Sequence, residues 1–323
     1  MERKVSMISR HLIRIKVLQT LYAFRRSENP DEGAFSKELS ISLSKSYEQY
    51  LILLSILADL RRYVENRISL IQDRQIKNDA EWQRLQRFAD NRVLRQLDDN
   101  ATLQALLDEK KIPMVLYDNA FRKIYNDIIS PETDFYEAYI QSEDTYEADK
   151  NFVRTVLMNV IAETELLFET FEDNSVFWND DTDNVIAMVE KTIRDFSEQN
   201  PQGGAILPMF ADNETRDFGF TLFHETLAKW DDIQAHIEAN LKNWDLSRIA
   251  EMDIIVMQMA VTEMMVFKEI PLPVSMNEYI ELAKWYSTSK SGNFVNGVLY
   301  KVSEELKNEG KIKKVGRGLI EKI

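Results

Sequence analysis

Apolar residues recur along most of this 323-residue chain at spacings of three and four, the period of a helix with one buried face. In 8–24, Ile8, Leu12, Ile15, Leu18 and Tyr22 form one stripe. Arg10 and Arg14 lie on another face, roughly 120° round the helix. Ser9 stands where an N-cap is needed. The polar stretch 27–33, with Asn29, Pro30 and Gly33, stops that helix. A longer run covers 39–68 through Leu43, Tyr47, Tyr50, Leu51, Leu54, Leu57 and Ala58. The stretch 72–81 shows no apolar face and reads as a loop or a solvated helix end.

Helical patterns continue at 94–107, 114–129, 133–140, 152–171, about 182–196, 218–240, 246–267, 276–287 and 294–307. Pro131 suits the first position of a helix capped by Ser130, and Asp181, Thr182 and Asp183 suit another helix start. Gln199 to Gly204 is the clearest loop, and Pro271-Leu272-Pro273 breaks the last third. No run of alternating β-branched residues is present, so the fold class is all-α. The apolar runs 50–60 and 254–267 fall short of the roughly 20 residues that span a bilayer. They read as buried helix faces.

Shifting the chain by 66 residues superposes two stretches. Phe152 falls on Phe218, Leu157 on Phe223, Ile161 on Leu227, Leu167 on Ile233 and Phe171 on Ile237. Glu172, Asn174 and Trp178 fall on the identical residues Glu238, Asn240 and Trp244. Amphipathic helices match at apolar positions by default; the shared Glu, Asn and Trp point to a duplication.

Composition agrees with long helices: only nine glycines and seven prolines are present, too few for β-sandwiches or repeated βαβ units. The absence of cysteine removes disulfides, thiol nucleophiles and cysteine metal sites and fits a reducing cytoplasm. The N-terminus has no signal-peptide core. A net charge of −14 argues against a nucleic-acid partner until it is mapped. Residues 1–26 hold seven Lys/Arg against one Glu, a charge of +6. Residues 131–240 hold six against twenty-five acids, −19, and 307–323 hold six against two, +4. Acidity is concentrated in the middle and both ends are basic.

A catalytic constellation is missing. There is no phosphate-binding glycine loop, and His224-Glu225 is followed at 228 by Ala228 rather than a second His. His224 and His236, twelve apart, do not converge on one helix as ligands. The segment 181–184 lacks the glycine and distal glutamate of a calcium loop. No enzyme, metal or cofactor is expected.

The specific signal lies in 243–299. It comprises the corner Trp244-Asp245-Leu246-Ser247-Arg248-Ile249, with Ser247 as cap, then Pro271-Leu272-Pro273 leading into Asn277-Glu278 and Glu281-Leu282-Ala283-Lys284, then Phe294-Val295-Asn296-Gly297-Val298-Leu299. In this order the pieces resemble the C-terminal part of the NusB family. Ser9-Arg10-His11-Leu12-Ile13-Arg14 followed by Leu18-Gln19-Thr20-Leu21-Tyr22 resembles its first helix. Typical members are small single domains, whereas about 185 residues here separate the first helix from Phe218.

The resemblance implies a NusB-like helical bundle enlarged by an acidic helical insert. Its expected divisions are a first helix in 1–30, an insertion in 31–215 that contains part-duplicated core helices, the core resumed in 216–308, and a basic tail in 309–323. It implies RNA-binding transcription antitermination on a boxA-like single-stranded leader RNA. The expected partners are the ribosomal protein NusE and the RNA polymerase antitermination complex, with no membrane contact. The alternative is a protein–protein adaptor on the same fold without RNA binding.

By similarity, Arg10, His11 and Arg14 face RNA, since arginine contacts phosphates and stacks on splayed bases. Tyr22 either offers a stacking face or fills the core. The segment before the last helix is the other RNA-facing element, through Lys290, Ser291 and Asn293; a lysine at 290, where the family often carries an acid, favours phosphate. Phe294 either stacks or fills the core. Asn296-Gly297 marks close helix packing or an RNA contact. Glu278 and Glu281 read as structural or partner-facing, and the tail after Lys307 as unstructured, with scope for non-specific RNA affinity.

Overall fold

The computed structural model describes residues 5–72, 79–130, 133–178, 181–241 and 248–320. Among these residues it is helical, without strands, as the periodicity requires. No described helix is long and apolar enough to cross a membrane. The chain divides into two compact units: Met1–Ile8 with Ser44–Met209, and Ser9–Leu43 with Phe210–Ile323. These boundaries assign 31–43 and 210–215 to the same unit as the first helix, where an insertion over 31–215 was expected.

The first unit holds most of α2 (Glu32–Gln72), then α3 (Asp79–Ala89), α4 (Arg92–Asp98), α5 (Ala101–Lys110), α6 (Asp118–Ile129), α7 (Asp134–Gln141), α8 (Tyr146–Asn159), α9 (Glu165–Asn174) and α10 (Thr182–Asp195). Two sequence expectations change here, each for a local reason. The run 94–107 is two helices, because the Asn91 side chain caps α4 through Val93 N and Leu94 N, and Asn100 caps α5 through Leu103 N at 3.0 Å. The helix after Ser130 starts at Asp134. Pro131 lies outside the described residues, as do 73–78 of the polar stretch and the Trp244–Ser247 corner.

The second unit holds α1 (Arg10–Arg26), the start of α2, and α11 (Asn213–Ala228), α12 (Trp230–Asn240), α13 (Glu251–Val266), α14 (Leu272–Tyr286) and α15 (Ser291–Asn308). Helix α13 is apolar on every side and lies at the centre, packed against α1, α11, α12, α14 and α15. Its Gln258 side chain donates to Trp230 O at 3.1 Å, and Glu263 is fully buried.

The 66-residue correspondence extends to whole helices. Helices α8, α9 and α10 fall on α11, α12 and α13, and both long helices expected from sequence break at matching places, after Val160 and at Lys229. Phe152, Leu157, Leu167 and Phe171 are buried, as are Phe218, Phe223, Ile233 and Ile237. What covers the two sets differs. In the second unit α15 packs on α12 and α13, and Asp253, Val256, Met257 and Ala260 are buried. Their counterparts Ala187, Glu190, Lys191 and Arg194 are exposed or half-buried and line a groove of about 1040 Å³. Three of these four are charged, as an uncovered helix face requires.

Candidate nucleic-acid interface

Helix α1 starts where Ser9 Oγ accepts from Leu12 N at 3.2 Å, the cap expected from sequence. The three basic residues of its first turns have different environments. Arg10 is partly exposed; its guanidinium pairs with Glu214 at 2.6 Å and lies 5.3 Å from the Phe218 ring centroid. His11 Nδ1 is 2.8 Å from Glu278 Oε2.

Arg14, expected beside them on an exposed face, is instead buried, with its side chain 3% exposed. Its Nε and Nη2 donate to the two carboxylate oxygens of Glu263, each at 2.8 Å. Glu278 lies 3.3 Å away, and the Phe218 ring 5.2 Å. Glu263 also accepts from Ser275 Oγ at 2.7 Å and Tyr279 OH at 2.9 Å. Burial alone would lower the Arg14 pKa; the charge and hydrogen bonds of Glu263 outweigh it and raise it. Burial, then the Glu263 charge, pushes the Tyr279 phenol well up. The hydrogen bond from His11 holds Glu278 below the usual carboxylate range, against burial and assisted by Arg14. Arg14 therefore joins α1 to α13 and α14 rather than presenting charge to solvent.

Much of the N-terminal +6 is neutralised in this way. Besides Arg10 and Arg14, Arg26 pairs with Glu251 at 2.6 Å, and Lys16 is buried. Tyr22 is half-buried with the Arg26 guanidinium 5.5 Å from its ring.

The connection from α14 to α15 is the second element. Ser291, expected to offer its hydroxyl to phosphate, is 1% exposed. Its Oγ donates to Asp253 Oδ2 at 2.9 Å and lies 2.8 Å from Thr288 Oγ1, so it ties the start of α15 to α13. Lys290 precedes α15 without making a side-chain cap and is exposed, as are Ser289, Asn293 and Asn296; Phe294 is half-buried. Gly297 has open space where a Cβ would stand, so Asn296-Gly297 does not mark close packing. Close approach occurs at other glycines, Gly292 and Gly219 among them. A Cβ on Gly292 would lie 2.8 Å from Lys284 Cγ, and one on Gly219 would lie 2.7 Å from Ile13 Cγ2. Glu281 pairs with Lys284 at 2.6 Å.

The segment after α15, read from sequence as an unstructured tail, is docked. Ile312 and Gly318 are buried, Val315 N donates to Lys268 O at 3.0 Å, and Lys314 Nζ donates to Phe267 O at 2.9 Å. Burial pushes the Lys314 ammonium down to about 8. With α14 and α15 the segment encloses a groove of about 490 Å³ lined by Leu272, Met276, Ile280 and Tyr300. Buried Ile312, the Val315 amide and the Lys314 ammonium together dock it.

His224 pairs with Glu32 and lies 3.2 Å from Ser36 Oγ. His236, Glu305 and Glu309 lie close enough to share a cation. The Lys311 ammonium is already among them, 2.8 Å from His236 Nε2 and 3.1 Å from Glu309.

Two residues escaped the sequence reading. Glu263 lies inside the apolar run 254–267; a carboxylate inside an otherwise apolar helix demands a buried cation, and that was its signal. Trp285, at the end of α14, is 79% exposed; helical spacing alone gave it no special standing.

Residues 209–304 match the model of the NusB family, within the second unit but for Met209. The transcription antitermination protein NusB of Salinibacter ruber is 45% identical over 114 residues, 35% of this chain and 71% of that protein. The protein of the same name from Chloroherpeton thalassium is 41% identical over 111 residues, 34% of this chain and 53% of its own length. That of Listeria monocytogenes is 38% identical over 94 residues, 29% and 73%. No solved structure matches the chain.

Proposed function

Because the chain belongs to the NusB family, we propose that it is a non-enzymatic, cytoplasmic transcription antitermination factor that binds boxA-like single-stranded RNA together with NusE, within the RNA polymerase antitermination complex. The observation that carries this reading is the exposed polar connection into α15. Lys290, Asn293 and Asn296 are open to solvent, in the unit that matches the family and with a cation where the resemblance leads one to expect an acid. Arg10 and His11, both part-exposed, are the α1 residues assigned to RNA on the same reading. Arg14 and Ser291 position these elements from within the core.

Phosphate contacts release counterions, so affinity must fall as salt rises. The test is a titration of a fluorescein-labelled boxA-like RNA, with and without NusE, across a salt series. Saturable, salt-sensitive binding is expected. Arg10→Ala with Lys290→Ala should weaken it, and Lys290→Ala alone should reduce the slope of log K against log salt by about 0.7, one single-strand phosphate contact. Failure to bind RNA under any condition, with NusE binding intact, would favour the adaptor. The pairing of both Arg10 and Arg14 with carboxylates is the observation on that side.

A further inference from the structure

We infer that Trp285 is a stacking platform for an unpaired base of the bound RNA, a contact that extends the interface along α14; this rests on the RNA-binding reading above. The ring is 79% exposed, although tryptophan ordinarily buries most of its surface. Its position gives the exposure a direction. Seven residues separate Glu278 from Trp285, so both lie on one face of α14, about two turns or 10 Å apart along the axis. Glu278 is the residue that His11 reaches from α1. At the other end of the same helix, the chain runs from Trp285 straight into exposed Thr288, Ser289 and Lys290. The ring thus stands on α14 between the two elements assigned to RNA.

The surroundings favour a base over a protein side chain. A protein hot spot is a ring at the centre of a desolvated patch, enclosed by further contacts that exclude water. The exposed neighbours of Trp285 in sequence are Glu281, Lys284, Thr288, Ser289 and Lys290; Glu281 and Lys284 pair with each other, and Lys290 with the two hydroxyls suits a phosphate backbone. Every base offers a π-face, so an exposed indole beside a cation and hydroxyls is what a single strand uses. The two acids on this stretch of α14 are occupied: Glu278 by His11 and Arg14, Glu281 by Lys284.

The experiment measures full-length wild type, Trp285→Ala and Trp285→Phe with a fluorescein-labelled boxA-like RNA across a salt series, and with NusE separately. Trp285→Ala should weaken RNA binding roughly 5- to 100-fold. Its salt slope should stay that of the wild type, because stacking releases no counterions. Trp285→Phe should restore most of the affinity, and NusE binding should be unchanged. Thermal unfolding checks that the exposed substitution leaves the fold intact. Saturable wild-type binding with Trp285→Ala within about twofold of it overturns the stacking role and leaves the antitermination reading standing. Loss of NusE binding with RNA affinity preserved reassigns the ring to a protein contact and equally overturns it. No RNA binding by the wild type, with or without NusE, removes the RNA reading itself and the inference with it.

Discussion

Replacing Arg14 by alanine separates a core arginine from an RNA-contacting one. The change removes both hydrogen bonds to Glu263 and leaves a fully buried carboxylate with Ser275 and Tyr279 as hydroxyl donors. It also removes the guanidinium stacked near Phe218 and Tyr279. Breaking a buried pair by deleting one partner costs about 3–5 kcal/mol, a large part of the 5–15 kcal/mol or so that holds a domain folded. In a unit of roughly 150 residues that corresponds to a fall in Tm of roughly 6–20 °C. Circular dichroism follows the melt, and hydrogen exchange of α13 amides reports on the second unit. Substituting both members, Arg14→Met with Glu263→Leu, should recover most of the loss, because no buried charge then lacks a partner. If Arg14→Ala melts within about 1 kcal/mol of wild type yet loses RNA binding, the buried-pair reasoning is refuted and Arg14 returns to the interface.

Two glycines give opposite expectations from the same substitution. Gly219→Ala drives a Cβ into Ile13; overpacking of about 1–3 kcal/mol outweighs a helix-propensity gain of about 1 kcal/mol, so urea unfolding should show a net loss. Gly297→Ala, with open space, should gain about 0.5–1 kcal/mol in the same assay. Lys314 gives a pH dependence. Its folded pKa of about 8 lies below the ordinary lysine value near 10.4, so the unfolded chain binds more protons between those two values. Stability therefore rises with pH across that window, and the penalty stands in full below about pH 8. Differential scanning fluorimetry should show that rise in wild type and its absence in Lys314→Met.

Short-range information was legible wherever one helix settles the matter. The 3.6-residue period, the Ser9 cap, the loop from Gln199 to Gly204 and the order of family motifs were all local. The breaks inside 94–107, 152–171 and 218–240 were missed because an apolar stripe continues across a cap or a bridge-region residue without losing its period. The 66-residue correspondence held at most of the buried positions, yet only packing shows why 190, 191 and 194 are charged: among the described residues no helix covers them as α15 covers α13.

By itself the sequence determined that the protein is helical, which faces of its helices are apolar, and that its last third carries the family's motifs. Tertiary structure decided what each charge does. Arg14 and Glu263 are 249 residues apart, and no periodicity relates them. Whether a cation at the edge of an apolar stripe meets solvent or a buried carboxylate depends on which helix packs over it. Ser291 faces inward because α13 presents Asp253 beneath it, and the C-terminal segment docks because the carbonyls of Phe267 and Lys268 accept from Lys314 Nζ and Val315 N. Trp285 stays in water because, among the described residues, it lies on a side of α14 that its own unit leaves exposed, which leaves that face for a partner.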